Sequence, residues 1–523
     1  MKTKSFKSII SLLISCFFFL TYTNAQTETL SLDGKWTMKD FKTGMGMYWP
    51  EKWVQLVYFP EINRLTENSL EVEVPTSVQK AYKDAGLLPD PYVEFNVKEY
   101  RWMEDREWWF VKQFKAPEDW DGKRLTLNCA MINYRADTWV NNIWCGITEG
   151  NYTAVKHDIS DAVIPGEWNT VIFRFRAPEN SSEQIPDPWF MGDGKKQRRW
   201  HVTPTNPQVS EFLMSSSLFG WDWRPHLVPV GFLQSVYISV DEHLEIQEPY
   251  IYTTALSENH DEAEMDFSVS LENDREEEVA GKLNLRIVPK ANPEKVIFQK
   301  SYKSDISEGE RVSIKDKISI TDPELWWPVD MGDQPLYLLQ LEYITSDGIV
   351  LASNQQSFGI RMVEKIFNED PDWLRGVELD YGEEEYPWTF VVNGRKVFIK
   401  GMNWIPVDAM LDLKVERYNY LLSLAERAHI NMFRVWGEGL YETETFYNLC
   451  DSLGIMVWQD FWVGGYSDAQ PQDKSELAIK KNIIRTRNHP SLVLFCGGNE
   501  FDASIEARLA QLNKLKSLCE EYA

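Results

Sequence analysis

The sequence is short of positive charge. Its 523 residues carry 54 lysines and arginines against 80 aspartates and glutamates, a formal net charge of −26. Phosphate backbones reward a basic face, so this balance argues against a nucleic-acid partner. It argues equally against a basic patch on an anionic membrane surface. Cysteine is scarce: six in all, with Cys16 inside an N-terminal leader. The other five (Cys129, Cys145, Cys450, Cys496 and Cys519) are odd in number and irregular in spacing, which is no disulfide framework. Cys129 and Cys145 read as separate buried thiols rather than a bridge. Seven histidines, with no H-x-x-x-H or C-x-x-C pair, leave little basis for a structural zinc. After the leader no apolar run approaches the ~18 residues that a membrane-spanning helix needs.

Aromatic residues are what the chain has in excess: 22 Trp, 22 Tyr and 26 Phe. Any one of them is most simply β-sheet core. So many together also suit sugar binding, because an indole face stacks on pyranose C–H groups while nearby polar groups take the hydroxyls. Residues 1–25 read as a Sec-type signal peptide, with Lys2, Lys4 and Lys7, then an apolar stretch from Ile9 to Leu20, then Thr23-Asn24-Ala25. The expected location is therefore periplasmic or extracellular. Leu13-Ile14-Ser15-Cys16 looks like a lipobox, which makes a lipid anchor the alternative.

At ~100–200 residues per domain the length predicts roughly three domains. Residues 26–243 show short alternating segments (Arg124–Leu127, Asp137–Val140, Thr170–Arg176, Ser235–Val240) split by Asp121-Gly122, Asn141-Asn142 and Pro165-Gly166, the pattern of a jelly-roll β-sandwich. Residues 244–363 repeat it in Met265–Leu271, Gly281–Val288, Val312–Ile320 and Tyr337–Tyr343, on the scale of an immunoglobulin-like sandwich. From 364 onward a hairpin turning at Asn393-Gly394 leads into strand–helix alternation. Predicted strands are Val397–Gly401, Met432–Trp436, Ile455–Phe461 and Leu492–Cys496. Predicted helices are Glu416–Ala428, Glu444–Leu453, Ser475–Arg487 and Ser504–Tyr522. That alternation means a parallel sheet, and a partial (β/α)8 TIM barrel of about four units is the expected fold; a closed barrel needs eight. The simplest reading is that the second half of the barrel lies beyond Ala523.

Catalytic groups in such a barrel sit at the C-terminal ends of strands. The fourth strand runs into Gly497-Gly498-Asn499-Glu500, which puts a carboxyl there. Glycoside hydrolysis needs one carboxylic acid to protonate the leaving oxygen and a second carboxylate across the sugar. Taken alone, an Asn-Glu pair after a strand is more simply a loop or helix-cap carboxylate. Arg434 and Trp436 lie two apart on the second strand, so both point to the same face. Barrel filling accounts for Trp436, but a buried guanidinium requires a partner.

Several segments in order resemble glycoside hydrolase family 2, and within it the β-mannosidases. They are Val74-Pro75-Thr76-Ser77-Val78, Gly220-Trp221-Asp222-Trp223-Arg224-Pro225, Leu325-Trp326-Trp327-Pro328, Asn431 to Gly439, Gly454 to Phe461, and Asn488-His489-Pro490 with Leu492 to Glu500. The resemblance implies a retaining exo-glycosidase acting on terminal β-linked sugars, β-mannosides first, with no metal or organic cofactor and with an oligosaccharide or glycoside as partner. It implies Glu500 as general acid/base, Asn499 on the sugar 2-hydroxyl, Arg434 holding the nucleophile, and Trp436 shaping the terminal-sugar subsite. Asp222, flanked by Trp221, would reach the sugar from the first sandwich, and Trp404 and Asp460 would line the rim. Asp408 reads as structural. The family's nucleophile is a Glu on strand seven, which residues 1–523 do not contain, so this chain alone is expected to be inactive. Gly437-Glu438-Gly439 and Phe461 to Tyr466 depart from the mannosidase pattern near the rim. The alternatives are another family-2 exo-glycosidase (β-glucosaminidase or β-galactosidase) and a non-catalytic carbohydrate-binding protein of the same fold.

Overall fold

A computed structural model of the chain describes residues 28–42, 65–150, 152–176, 215–368, 388–437, 439–462, 473–499 and 506–523. The predicted leader at 1–25 and Glu500 lie outside the described residues.

The first region is an antiparallel sandwich. One sheet orders Glu28–Ser31, Val236–Asp241, Arg124–Cys129 and Val155–Asp158. The facing sheet orders Leu70–Val74, Gly34–Lys42, Arg106–Lys115, Trp168–Phe175, Arg135–Val140 and Ile143–Glu149. Strict alternation decides which side chains go inward: in Val236–Asp241 every second residue is buried. The core is aromatic, and Phe232 sits at its centre with Phe110, Phe173 and Phe175 set edge-on at 5.2, 4.9 and 5.0 Å. Each such side chain contributes about 1.5–3 kcal/mol by leaving water.

On the opposite face of the six-stranded sheet, Asp137 is gripped by two arginines. Arg174 Nε and Arg176 Nη2 donate to it at 3.0 and 2.7 Å, and Arg174 lies against the rings of Trp109 and Trp139. Cys129 and Cys145 are both free thiols, as are the other three cysteines of the described residues.

The second region is the immunoglobulin-like sandwich. Leu244–Leu256, Glu262–Asn273 and Arg311–Thr321 form one sheet. Phe298–Lys303, Gly281–Pro289, Tyr337–Thr345 and Val350–Phe358 form the other. It holds the region that follows from behind. Trp326 Nε1 donates to the Asp451 carbonyl at 2.7 Å, and Arg361 donates to the carbonyls of Pro490 and Leu492 at 3.1 and 2.8 Å.

The predicted hairpin is present as Trp388–Val392 and Arg395–Val397, with Val363–Phe367 as a third strand. Asn393 and Gly394 both take positive φ (46° and 76°), the two-residue turn whose twist matches the strands. Four parallel strands follow in sequential order: β1 (Gly401–Trp404), β2 (Met432–Val435), β3 (Met456–Asp460) and β4 (Leu492–Cys496). They alternate with α1 (Val415–Arg427), α2 (Glu444–Leu453), α3 (Asp473–Thr486) and α4 (Glu506–Tyr522). Thr443 caps α2 through its hydroxyl, and Gly454 ends it at φ 72°, where a Cβ would meet Val329 N at 2.6 Å.

The first parallel strand is a correction. The sequence pattern placed it at 397–401, and the structure places it at Gly401–Trp404. Val397 pairs with Phe390 inside the hairpin, and Lys400 N donates to Asn431 Oδ1 at 2.8 Å, so the apolar run is divided between two sheets.

Candidate active site

Register builds the site. Asn403, Arg434, Trp458 and Leu494 stand side by side across β1–β4. Two residues further along, on the same face, come Trp436 and Asp460. Below them, Met432 and Met456 pack with Trp388, Phe390 and Trp326 of the preceding elements, which plugs the N-terminal end of the face.

Asp460 is the buried hub. Its side chain is 0% exposed, whereas that of Arg434 is 27% exposed. Arg434 donates through Nε to Oδ1 at 3.2 Å and through Nη2 to Oδ2 at 2.5 Å. Trp458 Nε1 and Gly437 N add bonds of 2.9 and 3.3 Å. Burial raises the Asp460 carboxyl above its usual range, against the pull of Arg434 and Trp458. Arg434 Nη2 also donates to Asn499 Oδ1 at 3.0 Å, and Nη1 reaches Asn403 Oδ1 at 3.4 Å. Gly437 is required by space, since a Cβ there would lie 2.4 Å from Phe461 O.

The first sandwich supplies a wall. Trp221 and Arg224 close a tight loop by reciprocal backbone bonds of 2.9 and 3.1 Å. Both Trp221 and Trp223 reach Trp436, each at 5.6 Å between ring centroids, tilted in one case and edge-on in the other. Asp222 stands exposed between them. The loop is anchored beneath by the buried Arg224, which donates to the carbonyls of Ala409 and Leu227. Burial lowers the Arg224 pKa to about 10. Tyr92 ties the same sandwich to the β1–α1 loop by donating to Asp408 Oδ2 at 2.6 Å. A second anchor is Tyr152, which stacks on Trp462 at 4.5 Å just past β3 while Asn482 donates to its carbonyl at 2.6 Å.

Behind β4 lies a charge network centred on the buried pair His489 and Asp451. His489 faces Asp451 through Nδ1 at 2.7 Å and Glu444 through Nε2 at 3.3 Å. Ser491 Oγ and Arg485 Nη1 complete it, on Asp451 and Glu444 respectively, both at 2.6 Å. Burial disfavours a charged imidazole, but the two carboxylates prevail and raise the His489 pKa to about 9.

Of the residues singled out from sequence, the structure brings together Arg434, Trp436, Asp460, Asn499, Trp221 and Asp222. Trp404 is a correction: it faces the helices, not the rim. It is 6% exposed, packs with Tyr418, Phe433 and Phe446, and donates to buried Glu442 at 2.9 Å. With β1 starting at Gly401, Trp404 falls one residue past Asn403 and therefore on the opposite face. Asp460 is near the rim in sequence but sealed in space. Sequence reasoning passed over Asn403 and Trp458. Trp458 had a readable signal, since it sits two before Asp460. Asn403 had none while the strand was misplaced. Among the described residues no group of three or more His, Cys, Asp or Glu is placed to hold a metal ion, and no helix is long and apolar enough to cross a membrane.

Comparison with known proteins fits this layout. The family profile described as "Glycosyl hydrolase 2 galactose-binding domain-like" matches residues 60–234, and that of "Glycosyl hydrolases family 2" matches 244–361. The chain is 26% identical over 480 residues to a β-mannosidase of Mus musculus, covering 87% of this chain and 50% of that one. It is 26% identical over 438 residues to β-mannosidase B of Aspergillus niger, covering 82% and 48%. The crystal structure of a β-D-mannosidase from Dictyoglomus thermophilum matches with TM-score 0.74 and 27% identity, over 94% of this chain and 56% of that one. An exo-chitosanase of Amycolatopsis orientalis shares the fold, with TM-score 0.70 at 19% identity over 95% and 52%. The chain spans about half the length of the curated relatives it matches. With both profiles belonging to one family and β-mannosidase likeness running through the parallel strands, the chain belongs to glycoside hydrolase family 2.

Proposed function

We propose that this chain carries the acid/base side of a retaining exo-glycosidase acting on terminal β-linked sugars, with β-mannosides as the first choice. In this reading β1–β4 are the first four units of a (β/α)8 barrel, and the open face of the sheet is the sugar pocket. One observation carries it: Trp221 and Trp223 of the first sandwich close on Trp436 beside the Arg434–Asn499 pair. That supplies stacking faces and oriented polar groups at one mouth, directly before Glu500 in the chain. Glu500 would first protonate the leaving oxygen and then activate water. Its partner would be a carboxylate about 5–5.5 Å away, the spacing for a covalent glycosyl-enzyme. No residue of 1–523 is assigned that part. Residues 1–25 support export, so the substrate would be met outside the cytoplasm.

The test uses the protein expressed from its full reading frame and a panel of aryl β-glycosides. Turnover of the β-mannoside above the β-glucosaminide and β-galactoside is expected. Glu500→Ala should lower kcat by about 10²–10⁴-fold on glycosides with poor leaving groups and far less on activated aryl glycosides. Equal losses on both would remove Glu500 from the acid/base role. Turnover of none of the panel would favour the carbohydrate-binding alternative.

A further inference from the structure

Asp460 has no capacity left for a sugar. A carboxylate offers about four lone-pair positions. Arg434 Nε, Arg434 Nη2, Trp458 Nε1 and Gly437 N occupy them, and the side chain has no solvent-exposed surface. What Asp460 does is fix the plane of the Arg434 fork, which then meets Asn499 Oδ1 at 3.0 Å. A guanidinium only donates, and a side-chain amide has one accepting and one donating end. An inverted Asn499 would press its NH2 against the arginine, donor to donor. The amide is therefore held with Oδ1 toward Arg434 and Nδ2 turned away from it.

We infer that Asp460 is a positioning residue that fixes the polarity of the Asn499 amide through Arg434, so that Asn499 presents a donor to the oxygen at C2 of the sugar. The inference rests on the glycosidase reading. It gives the site a requirement: a C2 substituent that accepts a hydrogen bond. The readout is kcat/KM for an aryl β-mannoside and its 2-deoxy counterpart, using wild type, Asp460→Asn, Asn499→Ala and the double variant, all expressed from the full reading frame. Wild type should favour the 2-hydroxy substrate by at least about 100-fold. Asp460→Asn should erase most of that preference by lowering kcat/KM for the 2-hydroxy substrate at least about tenfold more than for the 2-deoxy one, and the double variant should be no worse than the poorer single variant.

A merely structural role would slow both substrates alike, and that outcome overturns the inference. So does an unchanged preference, or additive losses in the double variant. If Asp460→Asn does not fold, Arg434→Lys, which loses the planar fork but keeps the charge, must show the same loss of preference. Wild type that turns over both glycosides without preference sinks only this relay; wild type that turns over neither sinks the glycosidase reading itself.

Discussion

Two buried aspartates in this molecule each meet arginine, and their carboxyl pKa values move in opposite directions. Asp137 in the first sandwich faces both Arg174 and Arg176, with side chains 3%, 0% and 11% exposed. Burial alone would raise its carboxyl, but the two guanidinium groups outweigh it and hold the pKa below the usual carboxylate value. Asp460 faces one arginine, whose outer edge is open, and burial wins. The first arrangement is closed on all sides and is a structural clamp. The second leaves its arginine partly exposed, at 27%. Counting arginines per carboxylate, and asking whether the arginine is sealed, separates the two arrangements.

The sharpest way to break this contrast is Asp137→Ala, which takes from the fully buried Arg174 the carboxylate it donates to. A loss of about 3–5 kcal/mol is expected, read as a lower urea midpoint by tryptophan fluorescence. Asp460→Asn should cost less stability, about 1–2 kcal/mol, because the exposed side of Arg434 can turn to water. Equal destabilisation by the two would mean that both pairs are clamps.

Acid sharpens the contrast by sign. Asp137, with its folded pKa lowered, contributes stability that is present above pH ~3.8 and lost as pH falls below it. Asp460, with its folded pKa raised, works the other way: protonation relieves it as pH falls through the raised value. Asp137→Asn should therefore flatten the acid limb of a stability–pH curve, and Asp460→Asn should steepen it. The basic limb belongs to His489. Its pKa of about 9 gives stability that is full below ~6.5 and lost as pH rises through 9, so His489→Gln should remove that decline.

Much of this was legible in the sequence where one periodicity ran unbroken. Glu444–Leu453 and Leu492–Cys496 have the predicted bounds, because an N-cap threonine, a terminal glycine and an apolar run end where the elements do. Arg434 needed a partner, and Asp460 fills that need. Val397 to Trp404 was misread because one apolar run serves an antiparallel hairpin and then a parallel strand. The shift drew Trp404 from the rim into the strand and hid Asn403. The saturation of Asp460 was only half legible: the Trp458 indole lies two residues before it on β3, whereas Gly437 N is brought to it only by the parallel pairing of β2 with β3.

The six-residue loop from Gly220 to Pro225 belongs to a domain that contributes no strand to the parallel sheet, yet its indoles bound the cleft that the sheet opens. The depth of that cleft and the chemistry on its floor are thus encoded some two hundred residues apart. Under the proposed reading, lengthening or shortening a single surface turn would redraw which glycan ends can enter and leave every group on the floor where it was.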